Sequence, residues 1–312
     1  MFSLLIATRN RREDLLRTLE VMAPALLPDH EVLVLDDASE DGTAEAVAAR
    51  FPGVRLLRHS GRSGYIAARN ELLAAARGEL AISLDDDAEI ASPGFLDCIA
   101  ELFEAHPRCG MAALRIYWGR TLPAAAQVEE EPRRVQSFVG CGHVWRLEAW
   151  RSLPPYPAWF EMYGEEAFAS YELLRRGWEV CYLPSVLVHH RVDLGDRPAA
   201  ERAWRYRRQL RAGLFLACLF HPSGLLPRHL AYAFWEQAKR LPGSDRRLSD
   251  LLWAAAELAR HAPRLRRERR ALSLEQWRLW QSLAPAVVYW APGSGTMSME
   301  KGDERTPAPL QP

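Results

Sequence analysis

Along the first hundred residues, short apolar runs alternate with stretches whose apolar positions recur every three or four residues. FSLLIA (2–7), EVLVLD (31–36), VRLL (54–57) and LAISLD (80–85) have the pattern of strands buried on both faces. Between them, 12–23 puts Leu15, Leu16 and Leu19 on one helical face, 41–50 opens with Asp41-Gly42-Thr43, and 64–76 supplies a third helix. Strand and helix in alternation predict a mostly parallel α/β sheet flanked by helices, a Rossmann-like arrangement. Ser92-Pro93 reads as N-cap and first turn of a helix over 93–105. From 107 to 160 the pattern is less regular, with QSFVGCGHVW (136–145) strand-like and RLEAWRSL a short helix. A helix EEAFASYELLRRG closed by Gly177 follows, then strands WEVCYLP and SVLVHH. Beyond 197 the chain reads as helical, with breaks near Pro222, Pro242 and Pro263. These patterns divide the chain into an α/β domain (1–196), a helical region (197–290) and a disordered tail (291–312).

Charge sharpens that division. The formal net charge is zero, yet 1–196 carries 20 basic against 30 acidic residues, and 197–278 carries 18 against 7. The halves are therefore suited to different partners. The five cysteines lie outside any C-x-x-C pair, which predicts neither a zinc site nor a disulfide framework and favours a reducing, cytoplasmic setting. No secretory leader is read in MFSLLIATRNRR, and the apolar run AGLFLACLF (212–220) is about half of a bilayer span. Segments 202–222 and 260–280 pair Arg with Trp, Leu and Phe, as interfacial helices do. The plainer reading is a helical cover over the sheet or a homodimer surface, with peripheral contact with the inner face of a membrane as the alternative. Nucleic acid is not expected, because the polar clusters describe a small-molecule cleft.

In an open α/β sheet, ligands bind beyond the carboxyl ends of the strands. Thr8, Arg9 and Asn10 follow the first strand, Asp36 and Asp37 the second, and Asp85, Asp86 and Asp87 the fourth. Three adjacent carboxylates repel one another and call for a cation. Side chains alternate along an extended segment, so Asp85 and Asp87 point one way and Asp86 the other. Paired hard oxygens suit Mg2+ or Mn2+ with positions left for substrate phosphates, whereas the plainer reading is an acidic loop beside a helix N-terminus. Asp36 can accept from a nucleobase or ribose.

The segments ATRNR (7–11), LDDASEDGT (35–43), GRSGYIAARN (61–70), SLDDD (83–87), GEEAFASYELLRRGW (164–178) and YLPSVLVHH (182–190) resemble, in order and spacing, the family 2 glycosyltransferases of GT-A fold. The resemblance covers about residues 1–190. It implies that Thr8 and Arg9, with Asp36 or Asp37, hold the base and ribose of a nucleotide sugar, and that Gly64 and Arg69 face the nucleotide. Asp85, Asp86 and Asp87 match the family's D-x-D element, whose last Asp touches the metal, and His190 matches a histidine that contacts metal or diphosphate. Glu165-Glu166 matches a Glu-Asp pair whose second acid is the catalytic base. Here that acid is Glu166, one methylene longer, so either it reaches differently or Glu165 takes part. Arg62, Ala38 and Leu72 also depart from the usual pattern. The expected activity is an inverting, metal-dependent transfer from a nucleoside-diphosphate sugar to a glycan or lipid-linked acceptor in cell-surface glycan synthesis. GCGHVW and the aromatic stretch Tyr156, Trp159, Phe160 and Tyr163 are candidates for the acceptor side. The alternatives are a nucleotidyltransferase, which would want a glycine-rich phosphate loop after the first strand, and a non-catalytic nucleotide-sugar binder.

Overall fold

A computed structural model describes residues 1–123, 130–192, 198–239 and 248–287; the expected tail and the break near Pro242 lie outside them. Among the described residues, nine strands form one sheet. They are β1 (Phe2–Thr8), β2 (Glu31–Asp36), β3 (Arg55–Arg58), β4 (Leu80–Asp85), β5 (Ala88–Ile90), β6 (Cys109–Trp118), β7 (Arg133–Val135), β8 (Gly142–Arg146) and β9 (Glu179–His190). Their order is β3-β2-β1-β4-β8-β6-β9-β5, with β7 also paired to β9. Strands β1 to β4 are mutually parallel, β8 runs antiparallel between β4 and β6, and β9 is parallel to β6.

Alternation along the strands builds two cores. Leu4 and Ile6 of β1, with Val32, Val34, Ile82 and Leu84, pack beneath α1 (Arg12–Leu26), α2 (Thr43–Arg50) and α4 (Phe95–Ala105). Leu5, Leu33 and Leu35 face the other side, under α3 (Tyr65–Ala75), α5 (Leu147–Ser152) and α6 (Glu165–Arg175). That second core continues into α7 (Ala199–Phe220) through Phe215 and Phe220, and into α10 (Leu274–Ser282) through Trp277 and Trp280. Helices α8 (Leu226–Lys239) and α9 (Leu248–Glu268) join α7 in a smaller cluster of Leu210, Leu214, Ala233, Leu251 and Ala254.

Several local expectations give way to tertiary contacts. Ser92 does not cap α4: its hydroxyl donates to Ser185 O and accepts from Leu187 N, and the helix starts after Gly94, whose φ is +63°. Asp41 bonds Thr43 N but also accepts from Arg12 N, so it secures the start of α1 from a neighbouring loop. Residues 136–141 are irregular and only 142–146 are strand. The two strands expected between 178 and 190 are one, β9, because three residues around Pro184 bulge out while pairing to β6 continues on both sides. Helix α9 runs through Pro263, since a proline removes one backbone bond while Leu258 and Leu265 on either side remain anchored in the core.

Candidate active site

The sheet register sets Thr8 beside Asp36 and Ala7 beside Asp85, so the acidic tips of β2 and β4 share one edge. The β9 terminus reaches the same edge: His190 pairs with Ala88, one residue past Asp87. The loop before β8 closes over it, with Cys141 O accepting from Asp85 N.

Of the three consecutive aspartates only Asp85 lies in β4, and Asp86 and Asp87 make the turn into β5, where their side chains diverge. Asp86 is buried and turned inward, accepting from Thr8 Oγ1 at 2.8 Å, while its carbonyl accepts from Thr18 Oγ1 at 2.8 Å. Burial pushes its carboxyl up to about 7 against the pull of Arg11. Asp85 and Asp87 face the cleft with His190, and one ligand atom from each of the three lies within 4.8 Å of the others. His190 Nε2 is 3.0 Å from Asp87 Oδ1. Burial disfavours a charged His190 ring, but Cys141 and Asp87 outweigh it and lift the imidazole to about 11. Burial works against the Asp87 charge too, yet His190 and Arg11 hold its carboxyl below the usual carboxylate range.

Two guanidinium groups balance this charge. Arg11 places Nη2 2.5 Å from Asp87 and Nε 3.3 Å from Asp86. Sequence alone does not single it out, because it sits two positions beyond Arg9 in a run of polar residues that gives no sign of which one turns inward. Arg9 itself is exposed. Arg69, on α3, is buried and bridges Asp85 (2.6 Å), Glu165 (3.1 Å) and Gly140 O (3.1 Å). One side chain thus joins the strand tip to the acidic start of α6.

The adjacent glutamates have different surroundings. Glu165 is buried with both oxygens engaged, one by Arg69 and the other by Tyr65 OH at 3.1 Å. Glu166 is half-buried, and burial together with Glu165 pushes its carboxyl up to about 8. Gly140 makes room for it: a Cβ there would stand 2.5 Å from Glu166 Oε1 and 3.0 Å from Arg69 Nη1. The neighbouring Gly142 lies against Val188, where a Cβ would approach to 2.7 Å. A side chain at either glycine of GCGHVW would therefore displace a neighbour, Glu166 or Arg69 at the first and Val188 at the second.

At the tip of β2, Asp36 is fully buried and accepts from Ser39 N at 2.8 Å through Oδ1, leaving Oδ2 without a hydrogen bond. Asp37 is used within the protein. It accepts from Ser63 N, Ser63 Oγ, Gly64 N and the His59 ring between 2.7 and 2.9 Å. Burial opposes its charge, but His59, Ser63 and Gly64 outweigh that and bring the carboxyl down to about 2. Gly64 adopts φ +92°, which lets the backbone turn from this loop into α3. Ala38, where the resembled family commonly has glycine, takes φ +61° in the left-handed region.

Of the aromatic stretch, Tyr156 and Phe160 are buried in the core, Tyr156 OH accepting from Trp145 Nε1 at 3.0 Å. Trp159 stacks on His261, and Tyr163 OH accepts from Arg205 at 3.0 Å. Most of this stretch therefore joins α6 to the C-terminal helices.

The donor set fits a divalent cation: two carboxylates and an imidazole converge on a partly open edge, hard ligands of the kind Mn2+ and Mg2+ take.

Residues 3–143 match Glycosyl transferase family 2. An N-acetylglucosaminyl-diphospho-decaprenol L-rhamnosyltransferase of Mycobacterium tuberculosis is 26% identical, over 56% of this chain and 72% of that protein. Among solved structures, GalNAc-T7 with UDP, GalNAc and Mn2+ superposes with a TM-score of 0.60 at 17% identity, covering 85% of this chain and 57% of that one. The mannosyltransferase PcManGT from Pyrobaculum calidifontis, in complex with GDP-Man and Mn2+, gives 0.56 at 20% identity, covering 90% and 78%. These structures share the fold. Residues 3–143 are thus a family 2 glycosyltransferase domain, and the chain is a glycosyltransferase with a GT-A fold.

Proposed function

We propose that the protein is an inverting, divalent-cation-dependent glycosyltransferase that moves a sugar from a nucleoside-diphosphate sugar to a hydroxyl of a lipid-linked glycan in cell-surface glycan synthesis. The observation that carries this reading is the meeting of Asp85, Asp87 and His190 at one strand edge, linked through Arg69 to the Glu165-Glu166 pair.

Asp85, Asp87 and His190 would hold Mn2+ or Mg2+, which when bound supplies positive charge to the departing diphosphate. Arg11 lies beside Asp87 and can add a second cationic group to the same diphosphate. Asp36, whose Oδ2 makes no hydrogen bond and lies 3.9 Å from Arg58 Nε, accepts from the base or ribose, and Thr8 and Asp86 brace the floor beneath. Asp37 acts at one remove, fixing loop 59–64 and hence the start of α3. Glu165 is occupied by Arg69 and Tyr65, so the proton of the acceptor hydroxyl goes to Glu166, whose raised affinity for protons suits that task. One base and attack from the face opposite the diphosphate invert the anomeric centre. A lipid-linked acceptor is the substrate class of the rhamnosyltransferase relative, as its name states.

Glu166→Gln tests the assignment. Turnover of the donor should fall by about 10² to 10⁴ while nucleoside-diphosphate binding with Mn2+ is retained. Retained turnover would remove Glu166 as base, and a product of retained anomeric configuration would remove inversion.

A further inference from the structure

The helical region presents a surface that the transfer reaction does not use. Of the large apolar side chains exposed among the described residues, half lie on α7 to α9, and four of them flank the connection between α8 and α9. Tyr232 lies in the middle of α8 and Trp235 one turn further on, and Trp235 is 61% exposed. Leu248 and Leu252 open α9 at 61% and 64% exposure. These positions are not loose core. The buried faces of the same helices are accounted for by Ala233, Leu251 and Ala254 packing on Leu210 and Leu214 of α7. The exposed residues repeat at helical spacing on the opposite side: Arg228, Tyr232, Trp235 and Lys239 on α8, then Leu248, Leu252, Ala255 and Ala259 on α9.

Charge identifies what covers this face. Residues 197–278 carry 18 basic and 7 acidic side chains, an excess of 11, against a deficit of 10 in residues 1–196. On α8 the aromatic pair is bracketed by Arg228 and Lys239, with Lys239 Nζ 5.8 Å from the Trp235 ring and paired with Glu236 at 2.5 Å. The α9 stripe becomes basic toward its end at Arg266 and Arg267, both exposed. Aromatic and leucine side chains that enter the acyl boundary, ringed by cations at headgroup level, make an interfacial lipid contact. A second protein copy would instead leave the shared positive charge to repel itself. No helix among the described residues is long and apolar enough to span a bilayer, so contact is peripheral.

We infer that the exposed face of α8 and α9, centred on Trp235 and Leu252, docks this protein on an anionic bilayer surface. Both helices pack on α7, and α7 is tied to the segment that precedes α6. Arg211 of α7 bonds Phe160 O and pairs with Glu161, and Arg205 donates to Tyr163 OH. Tyr163 N in turn donates to the Tyr65 hydroxyl that holds Glu165. Docking through α8 and α9 therefore fixes the bilayer relative to the start of α6.

The test is co-sedimentation of the full chain with vesicles of phosphatidylcholine alone or with one third phosphatidylglycerol, read without donor or cation so that it is independent of the glycosyl-transfer reading. Binding should be at least about tenfold tighter to the anionic vesicles and should weaken as salt rises. The double variant Trp235→Ser/Leu252→Ser should lose about tenfold or more of that binding, with an unchanged circular-dichroism spectrum and unchanged transfer to a water-soluble acceptor. Failure of the wild type to bind anionic vesicles, or equal binding by the double variant, overturns the inference. A concentration-dependent dimer seen by light scattering and dissolved by the same variant also overturns it, by assigning the face to a second copy.

Discussion

The acidic tips of β2 and β4 look alike in sequence, LDD and LDDD, yet the fold uses them in opposite ways. Asp37 has its bonding capacity taken up by His59, Ser63 and Gly64, and it serves to hold a loop. Asp85 and Asp87 are met by arginine and histidine side chains gathered from three distant segments, partners that can exchange for a ligand's charge. Two of the groups on Asp37 are backbone N–H donors of the loop it holds, whereas those on Asp85 and Asp87 are side-chain cations.

Substitution separates the two tips. Asp87→Ala should lower cation-supported turnover by at least about 100-fold and abolish Mn2+ binding measured by calorimetry. Equal Mn2+ affinity in variant and wild type would place the ion elsewhere. Gly140→Ala should cost about 10- to 100-fold in kcat/KM, because the added methyl displaces Glu166 or Arg69 without removing a charged group. A pH profile sharpens the contrast. With Glu166 raised to about 8 and acting as base, kcat/KM should climb about tenfold per unit up to that region and then level. Glu165→Gln removes a neighbouring negative charge and should move the inflection toward acid. A profile that is flat from pH 6 to 9 would refute this assignment.

The smallest effect belongs to Asp37. Its carboxyl is lowered in the folded protein, so its stabilisation is complete above the ordinary carboxylate range, near 4, and is lost as pH falls toward 2. The contribution is about 2 kcal/mol, and Asp37→Asn should cost about that much in denaturant unfolding at pH 7 while flattening the acid limb. Turnover at saturating donor should change far less than in Asp87→Ala.

The parallel strands and the helices between them were legible because their period and length are set locally, whereas the turn that Asp86 and Asp87 make after β4 was not. The long β6 was not, because CGMAALRIYW carries an arginine, Arg115, that the fold buries. Nor could sequence reveal that Arg69 would bridge Asp85 and Glu165, residues 16 and 96 positions away. Such bridges depend on register across the sheet, which no local pattern encodes. The choice between Glu165 and Glu166 was open for the same reason. It turns on Tyr65 and Arg69 reaching the first glutamate and leaving the second half-buried.

The bulge in β9 carries a consequence for how the chain can vary in length. Pairing resumes at Leu187 after three residues that have no counterpart on β6, and Ser92 donates to Ser185 O inside the kink and accepts from Leu187 N just after it. The kink is itself packed, with Pro184 and Val186 buried and Ser185 alone exposed, so only beside Ser185 is there a buffer for a residue gained. An insertion between Val188 and His190 has no such buffer. It would turn the histidine to the opposite side of the sheet and present its neighbour to Asp87, leaving composition intact and the cleft miswired.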